Sequence, residues 1–367
     1  MDKRLLIIGP LPPPYGGYAH QVASFLRHPF ADAFTLLPYD TRLHDAVETR
    51  PLLPVLGRAA RQVAVFRPFL AANRPDRVVL FTALTGCFWR DLLLLRRCYR
   101  AGLPTIIKLI GGDSTLRLEA QPAPLKRLAL AHLARAAAIL VETEEMVKHL
   151  SQLLPNTRAY RFPNFIHSED VPARPKQTRP DGPLGVIYFG NMTPTKGVET
   201  ILAGVDKVCD RQETTFHFVG GELEPGYLER FRARVCQLRH ADCVQVHGRL
   251  PRERAHALAG ACQIFAFPTQ WPGEGQPAAL VEAMSLGLVP VATRWRGVAE
   301  IVRHEHNGLA LQSPDPELLA RAILRLGQDC ALRERLAQNA VGTIQNEYEA
   351  HAALQLFQQI MAQAIPV

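Results

Sequence analysis

Short apolar runs alternate along the chain with segments whose apolar residues recur at helical spacing, the pattern of parallel strands joined by crossover helices. In the first half the runs are Leu5 to Ile8, Val78 to Phe81, Thr105 to Ile110 and Ala138 to Val141. In the second half they are Val186 to Phe189, Phe216 to Val219, Cys243 to Val246, Ile264 to Phe267 and Leu288 to Ala292. Between the two sets, His167 to Pro183 carries Pro172, Pro175, Pro180 and Pro183 among charged residues and has no apolar period, as expected of a linker. After Asp315 the period is helical, and from about Asn346 the residues Ala352, Leu356, Ile360 and Met361 mark a terminal helix. The pattern predicts an α/β chain with two doubly wound units: residues 1–167, a linker at 168–183, a second unit at 184–345 and a terminal helix at 346–367.

A length of 367 residues, about twice one ordinary domain, agrees with two cores. With 47% hydrophobic and 21% charged residues, disordered and fibrous classes are excluded. No stretch reaches the ~18 apolar residues of a membrane span, and the run after Lys3 and Arg4 ends at Ile8, too short for a signal peptide. A cytoplasmic protein is expected. The seven cysteines are odd in number and none are spaced C-x-x-C, so they are read as buried thiols, with no metal site. Net charge is +11 over residues 1–180 and −3 over the remainder. This asymmetry either reflects composition bias or marks a first half that meets an anionic partner.

Four segments carry candidate chemistry. Glu274-Gly-Gln-Pro-Ala-Ala-Leu-Val-Glu282 follows the run Ile264 to Phe267. Pro277 suits a first helical turn, and Leu280, Val281, Met284 and Leu288 form a buried stripe, which puts Glu274 in a loop and Glu282 inside the helix. A helix start beyond a parallel strand offers free N–H groups and a positive dipole end to a diphosphate, and flanking carboxylates accept from sugar hydroxyls. A surface acid followed by a helix-start acid accounts for the same residues.

The second segment, Gly190-Asn-Met-Thr-Pro-Thr-Lys196-Gly197, also joins a strand to a helix and places Lys196 at the helix mouth. There its charge would stabilise a departing diphosphate without a metal, although a solvated lysine fits as well. Gly follows Lys196, so this is not a Walker loop. Third, Tyr15-Gly16-Gly17 precedes a helix with Ala19, Val22, Ala23 and Leu26, either as a close approach to ligand or as a plain turn. It lacks G-x-G-x-x-G spacing, so a nicotinamide cofactor is not supported. Fourth, Gly111-Gly112-Asp113 ends the strand Thr105 to Ile110, and Asp113 either orients an acceptor hydroxyl, acts as base, or caps a helix.

Together with Pro163-Asn164, Gly220-Gly221-Glu222, Pro268-Thr269, Glu282-Ala-Met284, Gly287, Pro290, Gly297-Val-Ala-Glu300 and Asn307-Gly308, these motifs resemble family 4 of retaining nucleotide-sugar glycosyltransferases over nearly the whole chain. The resemblance implies two Rossmann-like domains facing across a cleft, the GT-B type, with a C-terminal helix returning to the first domain. The second domain would bind the nucleotide-sugar and the first the acceptor. No metal or other cofactor is implied. Carried over by position, Glu282 would bind ribose, Glu274 and the segment Gly275, Gln276, Ala278 and Ala279 the sugar and phosphates, and Lys196 the diphosphate, with Gly16 and Gly17 against the phosphates. Asn164 would lie in the hinge.

Three departures stand out. Asn191 replaces a common Arg, with Arg249 as a compensating cation. Ile110-Gly111 stands where many members have His-Gly, leaving Asp113 as the substitute. Pro277 has no N–H where the family offers a glycine amide, leaving Gln276 to supply the contact.

Between Arg50 and Arg74 lie five arginines, among them Arg58, Arg61 and Arg67, with no acid and with apolar Leu52, Leu53, Val55, Leu56, Val63, Val65, Phe66 and Leu70. This reads as an ordinary cationic surface helix or as a basic amphipathic helix for an anionic bilayer or a lipid diphosphate. Nucleic acid is not expected, because Phe66 and Phe69 are the only aromatic residues interleaved. The sequence therefore predicts a retaining hexosyltransferase-like enzyme with a lipid-linked glycan acceptor, peripheral on the inner face of the plasma membrane. The alternatives are a sugar-nucleotide epimerase on the same fold and a non-catalytic nucleotide-binding subunit.

Overall fold

Both halves of the alternating pattern fold as all-parallel six-stranded sheets. The computed structural model describes residues 4–13, 17–43, 52–84, 88–171 and 182–365, and the chain divides into unit 1, Met1–Phe165 with Ala350–Val367, and unit 2, Ile166–Glu349. Unit 1 contains β1 (Arg4–Gly9), β2 (Thr35–Asp40), β3 (Arg77–Thr82), β4 (Thr105–Leu109), β5 (Ala138–Val141) and β6 (Ala159–Arg161), in the order β2-β1-β3-β4-β5-β6. Unit 2 contains β7 (Leu184–Phe189), β8 (Thr214–Val219), β9 (Val244–Gly248), β10 (Ile264–Phe267), β11 (Val289–Thr293) and β12 (Leu309–Leu311), in the order β12-β11-β10-β7-β8-β9.

Every apolar run identified in the sequence forms a strand; apart from the half-buried edge strand β9 these strands are largely covered on both faces, which favours near-continuous apolar runs. The pattern misses β2, β6 and β12, all at or next to a sheet edge. β2 contains Pro38, which gives no ladder donor, and β6 and β12 have three residues each, too few to show a period. The direction in which successive strands are added to the sheet reverses between β1 and β3 and between β7 and β10. In such sheets ligands bind at these switch points, beyond the carboxyl ends of the strands.

The helix Ala350–Ala364 packs within unit 1. Its Phe357 is fully buried among Phe25, Phe30, Phe34 and Phe162, with edge-to-face contacts to Phe25 (centroids 5.6 Å, 87°) and Phe34 (6.0 Å, 83°). Two boundaries differ from expectation. Asn346 belongs to the preceding helix, Cys330–Glu347, so the terminal helix starts at Ala350. His167 is buried, Ser168–Asp170 forms a short turn, and Ile166 N donates to Tyr348 O at 2.9 Å, so the chain is held in unit 2 from Ile166. The expected linker residues 172–181 lie outside the described residues.

The cysteines also need correction. Cys98 and Cys262 are buried, Cys209 and Cys243 are half-buried, and Cys236 and Cys330 are exposed. Cys87 lies outside the described residues. Cys236 follows the last turn of a helix and Cys330 begins one, positions that leave the core, so composition alone misassigned them.

Candidate functional site

In unit 2 the lysine loop follows β7 and the glutamate loop follows β10, neighbouring strands paired Ile264 to Val186 and Phe265 to Ile187. Switch-point topology thus brings together residues 78 positions apart. Pro194–Lys196 forms one 3₁₀ turn, Gly197 adopts φ +81°, and the helix Val198–Cys209 begins. A Cβ at Gly197 would sit 2.1 Å from Pro268 O, so glycine lets the two loops abut. Gln270 N donates to Thr195 O at 2.8 Å and ties them. The stripe Val198, Ile201, Leu202 and Val205 is buried beneath.

Lys196 Nζ donates to both oxygens of Glu274, at 3.0 and 2.7 Å, and Thr269 Oγ1 donates to Glu274 Oε2 at 2.9 Å. Glu274 is 5% exposed, so the three bonds compensate a carboxylate withdrawn from water. The ammonium lies 5.8 Å from the Phe267 ring centroid and 5.5 Å from that of Trp271. Burial first, and then the Glu274 charge, push the Tyr188 phenol well above its ordinary range. Trp295 Nε1 donates to Trp271 O at 2.8 Å and fixes the turn before Glu274. Gly275 and Gln276 are buried, whereas Ala278 is exposed and Ala279 half-buried at the start of the helix Ala278–Ser285.

Glu282 lies inside that helix, and its stripe residues Leu280, Val281 and Met284 are buried, as is Leu288 beyond it. Arg252 Nη2 donates to Glu282 Oε1 at 3.0 Å. Glu282, Asn191 and Arg249 line one cavity of about 350 Å³, floored by Gly190, Gly220 and Gly221. The cavity needs its glycines: a Cβ at Gly220, where φ is +156°, would stand 1.7 Å from Gly190 O. At Gly221 a Cβ would come within 2.8 Å of Arg249 Nη2, so the expected compensating cation lies in the same cavity as Asn191. The sequence reading missed Arg252, His256 and Trp271. Arg252 and His256 sit four residues apart on the helix Arg252–Gly260, a spacing that puts both on one face.

In unit 1, Gly17 opens the helix Gly17–Phe25, and Gly16 lies outside the described residues. That helix buries Ala19 and Val22 as expected, together with Ser24 and Phe25; Ala23 and Leu26 are only half-buried. Ile110 is buried. Asp113 precedes the helix Ser114–Glu119, but its side chain makes no capping bond, which removes the capping reading. Its Oδ2 instead accepts from Arg117 Nε at 2.8 Å, and its Oδ1 is buried without a hydrogen-bond partner. Beyond β5, Glu142 accepts from Gln21 Nε2 at 3.2 Å and Gly111 N at 3.4 Å.

The basic stretch is the helix Leu52–Asn73. It has no single apolar face: Phe66 is buried and Val63, Phe69 and Leu70 pack on the core, but Leu53, Leu56 and Val65 are exposed beside exposed Arg61 and Arg67, and Arg58 is half-buried. Of the nine exposed large hydrophobic residues among those described, eight lie in unit 1, including Leu116, Leu125 and Leu128 near Arg117, Lys126 and Arg127. No helix of the described residues is long and apolar enough to cross a membrane. Among those residues one group has metal-ligand spacing, His240, Asp242 and Cys243 at the start of β9, the sheet end opposite the lysine and glutamate loops.

Comparison with known proteins places this geometry. Residues 169–343 match the family model described as glycosyl transferases group 1. The amylovoran biosynthesis glycosyltransferase AmsK of Erwinia amylovora is 25% identical over 186 residues, 49% of this chain and 44% of AmsK, so the match spans less than half of that relative's length. Among solved structures, sucrose-phosphate synthase from Thermosynechococcus elongatus aligns with TM-score 0.74 at 18% identity, covering 99% of this chain and 100% of the other. Anabaena HepE in complex with UDP and glucose aligns with TM-score 0.73 at 16% identity, with 99% and 100% covered. At these identities the structural likeness is one of fold, the GT-B type. Residues 169–343, which carry the lysine and glutamate loops together, are thus the part of the chain that matches the group 1 glycosyl transferases.

Proposed function

We propose that this protein is a retaining, metal-independent glycosyltransferase of cell-surface polysaccharide synthesis, moving a sugar from a nucleotide-diphosphate donor to a hydroxyl of a lipid-linked glycan. The observation that carries the reading is the Lys196–Glu274 pair at the switch point of unit 2, next to a glycine-floored cavity that holds Glu282. Lys196 and the helix start at Ala278 hold the charge that develops on the leaving diphosphate, where a preorganised cation lowers the barrier most. Glu274 positions the sugar, Glu282 the ribose, and Arg249 supplies the charge that Asn191 lacks. On unit 1 the buried, unsatisfied Oδ1 of Asp113 suits the acceptor hydroxyl. The exposed leucines and arginines of unit 1 suit the surface of an anionic bilayer, where each basic residue adds ~1 kcal/mol of attraction. AmsK is named for amylovoran biosynthesis, and HepE was crystallised with UDP and glucose, both in keeping with this chemistry.

The test is incubation of the full chain with labelled UDP-, GDP- and ADP-sugars, with and without a membrane extract. Label entering the lipid fraction, and absent from the Lys196→Ala variant, supports the reading. An altered nucleotide-sugar formed without any acceptor would establish the epimerase instead. Nucleotide binding without transfer or hydrolysis would establish a non-catalytic subunit, to which Asn191, Ile110 and Pro277 would then be the clue.

A further inference from the structure

The cavity beside Glu282 contains one side chain whose chemistry is still unused. His256 lies one helical turn after Arg252, is only 6% exposed and lines the cavity. Its Nε2 is buried without a hydrogen-bond partner, 3.5 Å from Glu282 Oε2. The other oxygen of Glu282 is held by Arg252 at 3.0 Å, and Arg252 also faces Asp170 Oδ2 at 3.6 Å, so the carboxylate is fixed with Oε2 toward the imidazole. A buried ring nitrogen without a partner is unfavourable, and such groups are rare unless a ligand or water completes them. The helix around it is otherwise rich in alanine, which gives no packing reason for an imidazole. The gap between Nε2 and Oε2 admits one oxygen within hydrogen-bond distance of both.

We propose that His256 and Glu282 together grip one ribose hydroxyl of the nucleotide donor: Nε2–H donates to the hydroxyl oxygen, and Oε2 accepts the hydroxyl proton. This rests on the reading of the cavity as a nucleotide site and adds to it a residue that selects ribonucleotides. A site built around a hydroxyl rejects an analogue that lacks it, because two buried polar groups are then left unpaired.

The experiment titrates the full-length wild type, His256→Leu and His256→Gln with UDP, GDP and ADP, and then with the 2′-deoxy and 3′-deoxy forms of whichever binds. For wild type, one deoxy form is expected to bind about tenfold more weakly or worse. His256→Leu should bind the ribonucleotide about tenfold more weakly and the deoxy form as wild type does, erasing the preference. His256→Gln, whose amide N–H reaches a similar point, should keep part of it. A purely structural role would weaken both forms alike. An unchanged preference in His256→Leu, or an equal loss for both forms, overturns the proposal while leaving the nucleotide site standing. Failure of wild type to bind any of the three diphosphates overturns the nucleotide site itself.

Discussion

Units 1 and 2 are built from the same element, a parallel six-stranded sheet with one switch point, yet they use their surfaces in opposite ways. In unit 2 the charged residues beyond the strands are joined inward, Lys196 to Glu274 and Arg252 to Glu282, around loops abutted through glycine. In unit 1 the corresponding edge keeps a carboxylate oxygen of Asp113 unsatisfied, and the outer helices expose leucines among arginines and lysines. One scaffold therefore carries inward-joined charge pairs in one unit and exposed leucines among basic residues in the other, and it is such local differences, not the fold, that can carry function.

The comparison can be broken at four points. The largest effect is expected at Phe357, whose ring closes the aromatic cluster of unit 1. Phe357→Ala should cost ~3–5 kcal/mol, and hydrogen exchange should show the loss in unit 1 while β7 to β12 keep their protection. Next, Lys196→Ala should lower sugar transfer by about 10²- to 10³-fold with an unchanged circular dichroism spectrum, the usual loss when one preorganised charge is removed. Asp113→Asn, its counterpart in unit 1, should lower transfer while leaving the dissociation constant for the nucleotide unchanged in calorimetry. Third, Arg61→Glu with Arg67→Glu should weaken sedimentation with phosphatidylglycerol vesicles by about tenfold or more and leave nucleotide affinity intact. Undiminished vesicle binding would remove the contact surface from the comparison.

The fourth point concerns Lys108, buried in β4 with its ammonium against Phe162 O. Burial pushes its pKa down to about 8 from the ordinary 10.5. Between those values the unfolded chain holds a proton that the folded chain has lost, so stability rises with pH from 8 to 10.5. Below pH 8 both forms are protonated and the cost of burying the charge is fully present. Urea unfolding at pH 8 and pH 10 should show this rise in wild type and a flatter profile in Lys108→Met.

The strands were legible because those buried on both faces are near-continuous apolar runs, and the glutamate and lysine loops were legible because each combines glycine or proline with a charge at a strand-to-helix junction. The basic stretch was legible as a helix but not in its packing. Spacing identified Phe66 and Leu70 as apolar but could not show that Leu53 and Val65 face outward, since that depends on which neighbours cover the helix. Arg252 and His256 carried only a helical i,i+4 signal, and nothing local distinguishes such a pair from a solvated face.

What the sequence determined by itself is the α/β alternation, the two-unit division and the residue types at the loops, because period, turn chemistry and capping act over a few neighbouring residues. What only the tertiary structure decided is which distant groups meet. Glu274 and Lys196 touch because β10 lies beside β7. His256 turns toward Glu282 because two helices of one sheet line the same cavity. Both meetings depend on strand order, a long-range property set by how the sheet buries its faces and written in no single segment of the chain.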